Sequence, residues 1–110
     1  MYYIYILLCE GNTLYTGITK DLSKRMTEHF LALKTCAKFT RSHKPEKIVG
    51  LFTSPDRSTA LKLEYKIKSL HKNEKEALIN NPENVKNLSE IFTNCAPANI
   101  PPLCEIIKNK

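Results

Sequence analysis

The run Tyr2-Tyr3-Ile4-Tyr5-Ile6-Leu7-Leu8-Cys9 carries an apolar or aromatic side chain at every position. Successive side chains on a strand point to opposite faces, so such a strand must be covered on both. It reads as the central strand of a sheet with helices packed on it. No apolar run approaches the roughly 20 residues that a membrane span needs. The run has no basic segment before it and no small-residue cleavage site after it, so it does not read as a secretory leader. The expected location is the cytoplasm, with no membrane association.

Glu10-Gly11-Asn12 supplies turn chemistry, and residues 13–18 continue as a second strand, giving a hairpin. Its register has two solutions. A two-residue turn at Gly11-Asn12 pairs Leu8 with Tyr15 and sends Tyr5 and Tyr15 to opposite faces. A three-residue loop, Glu10 to Asn12, pairs Leu7 with Tyr15 and Tyr5 with Gly17. Both tyrosines then share a face, and Gly17 leaves space beside the Tyr5 ring. Asn12, which tolerates the left-handed conformation, fits the second solution.

Asp21 stands where an N-cap belongs, before helical spacing over 22–33. Residues 34–45 read as a basic loop ending at Pro45, and 47–53 as a third strand. Asp56 or Ser58 caps a second helix running to about Leu70. Asn73 with Glu76 matches a capping box for a short helix over 74–80. Beyond Pro82 the periodicity weakens. Residues 82–93 hold a helical turn or two, 95–102 look irregular, and 103–107 pack back or fray. The chain of 110 residues is one domain's worth of protein of mixed α/β (α+β) class. The expectation is a three-stranded antiparallel sheet flanked by helices over 1–81, followed by an extension, 82–110, of unknown role.

Lys and Arg outnumber Asp and Glu by 17 to 11, a net charge of +6, which favours a polyanionic partner. Lys34, Lys38, Arg41, Lys44 and Lys47 face the single acid Glu46 in one stretch, with His43 among them. That stretch is either a solvated basic loop or a binding surface. The four cysteines, Cys9, Cys36, Cys95 and Cys104, form no C-x-x-C pair, so reduced thiols are expected and zinc is not. A nucleophilic Cys36 beside a histidine is the remote alternative.

Projection at about 100° per residue places Leu22, Met26, Phe30 and Leu33 within an arc of about 80°. His29 lies at the edge of that arc, beside Arg25. In the second helix Ala60, Leu63, Ile67 and Leu70 form the stripe, and Glu64 projects inward between Ala60 and Leu61. Taken alone, His29 is a hydrogen-bonded core histidine and Glu64 a partner for Arg25. Taken together with Tyr5 and Tyr15, they are titratable groups converging on one pocket, the usual signature of an active site.

These residues resemble the GIY-YIG nuclease superfamily. Its first tripeptide corresponds to Tyr3-Ile4-Tyr5 and its second to Tyr15-Thr16-Gly17. Its arginine matches Arg25, its helix-borne histidine His29 and its metal-binding glutamate Glu64. Leu14–Thr19, Ala37–Arg41 and Glu74–Ile79 resemble the small stand-alone bacterial single-domain branch. The likeness covers about residues 2–80. Tyr3 replaces a glycine and Thr16 an isoleucine, neither at a position expected to do chemistry. A further asparagine carried by many members has no placed counterpart, since Asn73 is read as a helix cap.

The resemblance implies a metal-dependent endonuclease acting on DNA, in repair or recombination, with RNA not excluded. A single divalent cation, Mg²⁺ or Mn²⁺, would sit on Glu64. Tyr5 would act as general base, Arg25 would bind the scissile phosphate, and Tyr15 and His29 would orient water or relay the proton. Lys34, Lys38, Arg41, Lys44 and Gly17 would contact the nucleic acid. The alternative is a non-catalytic nucleic-acid-binding module with the same fold, with a protein partner supplying targeting. All the core chemical positions being filled favours the enzyme.

Overall fold

The computed structural model describes residues 1–31 and 38–106, the side chains of Arg41 and Cys104 excepted. Strands β1 (Tyr2–Cys9), β2 (Thr13–Thr19), β3 (Pro45–Ser54) and β4 (Ala96–Pro97) form one antiparallel sheet in the order β2-β1-β3-β4. The wholly apolar β1 is internal, as its composition requires. The three expected strands are present. A fourth, two residues long, comes from the segment read as irregular, because Thr53 and Phe52 of β3 pair with Ala96 and Pro97.

The hairpin takes the three-residue solution. Gly11 and Asn12 both have positive φ, 76° and 56°, and the register pairs Leu7 with Tyr15 and Tyr5 with Gly17. Alternation along β1 then splits the core in two. Tyr5, Leu7 and Cys9 face helix α1 (Leu22–Phe30) through Met26, together with Ile48 and Leu51 of β3. Ile4 and Ile6, with Phe52, face helices α3 (Arg57–Ser69) and α4 (Lys72–Asn80) through Ala60, Leu63, Ile67 and Leu78. The two main helices therefore cover opposite faces of the sheet.

Local chemistry sets the helix ends. The Asp21 carboxylate accepts from the backbone N–H of Lys24 at 3.1 Å, and Asp56 from that of Thr59 at 2.7 Å, each satisfying an orphan donor of a first turn. Helix α4 begins earlier than expected. Its box is His71 with Glu74, whose carboxylate accepts from the His71 backbone N–H at 2.8 Å, and Asn73 lies inside the helix. Helix α1, expected over 22–33, is described to Phe30, where the Leu31 N–H closes on the Thr27 carbonyl; residues 32 and 33 lie outside the described residues. A short helix, α2 (Lys38–Ser42), stands inside the stretch read as loop.

After α4 come two 3₁₀ segments, Pro82–Asn87 and Glu90–Phe92, and a short helix α5 (Leu103–Ile106). Val85, Phe92 and Cys95 are buried in the core beneath α3 and α4, and Ile106 is buried on the other face. The Ser23 hydroxyl of α1 donates to the Ile106 carbonyl, and the Ala98 N–H bonds the Leu51 carbonyl at 2.9 Å. The extension thus supplies apolar volume to both layers.

Candidate active site

Tyr5 leaves β1 on the α1 face, opposite Gly17 of β2. A Cβ at Gly17 would lie 2.6 Å from Tyr5 Cζ, so the phenol ring occupies the volume that any other residue there would fill. This gives Gly17 a packing role in placing Tyr5. The Tyr5 hydroxyl stands 2.8 Å from His29 Nε2, and Arg25 Nε donates to it at 3.4 Å. Of these two partners only the imidazole can accept. The phenol proton therefore points at His29 Nε2, and Nδ1 carries the ring proton. Nδ1 in turn lies 2.9 Å from Thr40 Oγ1, which accepts it.

Tyr5, His29 and Thr40 are each at most 1% exposed. Burial drives the Tyr5 pKa up, and the hydrogen bond from Arg25 opposes it only in part. Burial, assisted by the nearby Arg25 charge, lowers that of His29 from 6.5 to about 4. At neutral pH the pair is a protonated phenol hydrogen-bonded to a neutral imidazole.

Tyr15 closes the cluster. Its ring centroid lies 6.4 Å from that of Tyr5 and 5.5 Å from that of His29. Phe39 stacks on Tyr15 at 5.7 Å, and His43 stacks on Phe39 at 4.4 Å. Through Phe39 and Thr40, the short α2 docks the basic stretch against the tyrosines and the histidine. Both residues stand in the family-like segment Ala37–Arg41, where the sequence assigns neither a role. The signal was there in the apolar Phe39 within a charged run.

Arg25 is paired with Glu28 at 2.9 Å, one helical turn away, and not with Glu64. Burial disfavours its charge, but hydrogen bonds with Glu28 and Tyr5 outweigh that, and its pKa is raised. The inward projection expected of Glu64 is corrected in part. Helix α3 covers the face opposite Tyr5, so Glu64 lies at the margin of the sheet, its side chain 20% exposed, 3.3 Å from Lys68 Nζ. It is still near enough to Tyr5 for its charge to push the phenol pKa up.

Among the described residues no group of three or more His, Cys, Asp or Glu forms a protein cage for a metal. One partly exposed carboxylate is instead the donor set of a hard divalent cation that keeps most of its water, and it does not suit zinc. Of the expected nucleic-acid contacts, Lys38 opens α2 and Lys44 precedes β3, both exposed. Arg41 is on α2, its side chain not described. Lys34 and Cys36 lie outside the described residues.

The family profile described as the GIY-YIG catalytic domain matches residues 1–77. The UPF0213 protein FN1575 of Fusobacterium nucleatum is 42% identical over 91 residues, covering 82% of this chain and 89% of that protein. The UPF0213 protein VC_A0739 of Vibrio cholerae is 39% identical over 92 residues, covering 83% and 89%. The solution NMR structure of the UPF0213 protein BH0048 from Bacillus halodurans matches at 34% identity, covering 74% of this chain and 85% of that one, with a TM-score of 0.48.

Proposed function

This chain belongs to the GIY-YIG catalytic domain family, and from that premise we propose that it is a metal-dependent endonuclease hydrolysing phosphodiester bonds in DNA. Membership of the family supports an endonuclease-type role. The observation that carries the finer reading is the Tyr5 hydroxyl, set between a guanidinium donor and a neutral imidazole acceptor. That is the environment of a proton relay. Its oxygen donates to His29, accepts from Arg25, and keeps one lone pair.

In this reading Arg25 holds the scissile phosphate and counters the charge that develops on it. The lone pair of Tyr5 takes a proton from the attacking water while the phenol proton passes to His29. The raised Tyr5 pKa keeps the phenol protonated at neutral pH, so the relay requires a free Nε2, which the depressed His29 pKa maintains. Tyr15 orients the water. A divalent cation on Glu64, magnesium or manganese, would supply charge neutralisation at the phosphate and stabilisation of the leaving 3′ oxygen. Lys38, Arg41, Lys44 and Lys34 track the flanking phosphates. The site would work in DNA repair or recombination in the cytoplasm, with a protein partner supplying targeting and RNA as the alternative substrate.

One observation favours a second reading, a non-catalytic nucleic-acid-binding module. Tyr5 is only 1% exposed, so little of its hydroxyl is open to water. A cleavage assay on plasmid, linear, single-stranded and branched DNA, with magnesium, manganese or EDTA, separates the two. Metal-dependent nicking by the wild type and none by Glu64→Ala supports the endonuclease. Binding without cleavage of any substrate supports the module.

A further inference from the structure

Lys68 lies one helical turn beyond Glu64 on α3. Its ammonium is 3.3 Å from a Glu64 carboxylate oxygen and 5.9 Å from the centre of the Tyr15 ring. Those two distances are informative because of the topology. Tyr15 is on the Tyr5 side of the sheet, whereas the core stripe of α3 packs on the other side. Strand β2 is an edge strand. The Lys68 side chain therefore reaches the Tyr15 ring only by passing the free edge of β2. An i,i+4 pair serving helix stability alone has no need to leave the outer surface. This one lies along the rim of the tyrosine cluster, with half of the lysine side chain still exposed.

The charges around the cluster point the same way. Arg25 stands with Glu28 on one flank and Lys68 with Glu64 on the other. A carboxylate at 3.3 Å competes with any phosphate for the same ammonium. It also repels the phosphate directly. Neutralising Glu64 removes both obstacles at once.

We propose that Lys68 is a phosphate-binding residue of this site, held over Tyr15 by Glu64 and released to the nucleic-acid backbone when the Glu64 charge is neutralised. The inference rests on the reading that this site binds nucleic acid. It adds that occupancy of Glu64 and grip on the backbone are coupled through one lysine, and such a coupling is reciprocal.

The test needs no metal and no cleavage. Binding of a fluorescein-labelled DNA duplex to the full chain is measured in EDTA as a function of potassium chloride. The proteins are wild type, Glu64→Gln, Lys68→Met, the double variant, and Glu64→Gln with Lys66→Met as a control on the same helix. Circular dichroism checks that each is folded. Glu64→Gln is expected to tighten binding about three- to tenfold and to steepen the salt dependence by about one phosphate contact. Lys68→Met in that background abolishes the gain and returns the slope, whereas Lys66→Met leaves both in place.

A gain that survives Lys68→Met means that Glu64 acts by repulsion alone, and overturns the proposal. So does the absence of any gain with Glu64→Gln. If no protein binds DNA, the nucleic-acid reading falls and this inference with it. If the lysine-dependent gain is found but magnesium never yields cleavage, the Lys68 assignment stands and the endonuclease reading fails.

Discussion

The hydroxyl of Tyr5 and Nε2 of His29 are 2.8 Å apart, joined across the interface between β1 and α1. Both residues are buried, and Arg25 supplies the third corner. A buried phenol–imidazole pair is a costly way to fill a core. Its polar atoms are satisfied by each other, by Thr40 and by Arg25, so the site is rigid before any substrate arrives.

The depressed His29 pKa makes stability depend on pH in a definite sense. In the unfolded chain the imidazole takes its proton near 6.5, and in the folded chain only near 4. Between those values the unfolded state binds more protons, so stability falls as pH falls through this window, by about 3 kcal/mol. Urea denaturation of wild type and His29→Gln at pH 7 and pH 4.5 measures it. The wild type is expected to lose more stability than the variant on acidification, and equal losses would remove His29 as the cause.

Gly17→Ala tests how Tyr5 is placed. The added methyl would come within 2.6 Å of Tyr5 Cζ, and overpacking of this kind costs about 1–3 kcal/mol. The expected variant is folded, less stable by that amount, and impaired in cleavage because the phenol has moved from His29. Wild-type stability and cleavage would show that the sheet absorbs the methyl elsewhere.

The basic stretch yields a third expectation. Lys38→Ala with Arg41→Ala should weaken DNA binding across all sequences and reduce the slope of log affinity against log salt by about two. Fluorescence anisotropy at several salt concentrations reads this directly. An unchanged slope would make the stretch a solvated surface.

Much of this was legible in the sequence because it depended on strand periodicity and turn chemistry. The register that brings Tyr5 and Tyr15 together follows from a three-residue loop with Asn12 in the left-handed region, and Gly17 opposite Tyr5 follows from that register. Helical spacing placed Arg25 and His29 together on one helix flank. It did not tell which face of the sheet each helix covers, nor that Glu64, its side chain only 20% exposed, pairs with Lys68. Periodicity within one helix carries no such information.

The contacts that the sequence does not show have a common cause. Thr40 and Phe39 belong to the family-like segment Ala37–Arg41, but their contacts come from a five-residue helix, too short to show a period, inside a run that reads as loop. Glu28 and Lys68, at i,i+3 and i,i+4 from Arg25 and Glu64, look in sequence like ordinary surface pairs. Val85 and Phe92 come from 3₁₀ turns without an amphipathic pattern, so a tail-like segment hid core residues.

The most direct test of the account is single-turnover cleavage by Tyr5→Phe beside wild type, with DNA binding measured on the same samples. The substitution removes one oxygen and leaves the ring over Gly17. If the phenol is the proton relay, the cleavage rate falls by about 10²-fold or more, in the range of general acid–base catalysis, while DNA affinity stays within about twofold of wild type. Cleavage at the wild-type rate by Tyr5→Phe would contradict the account, because the hydroxyl that Arg25 and His29 converge on would then do no chemistry.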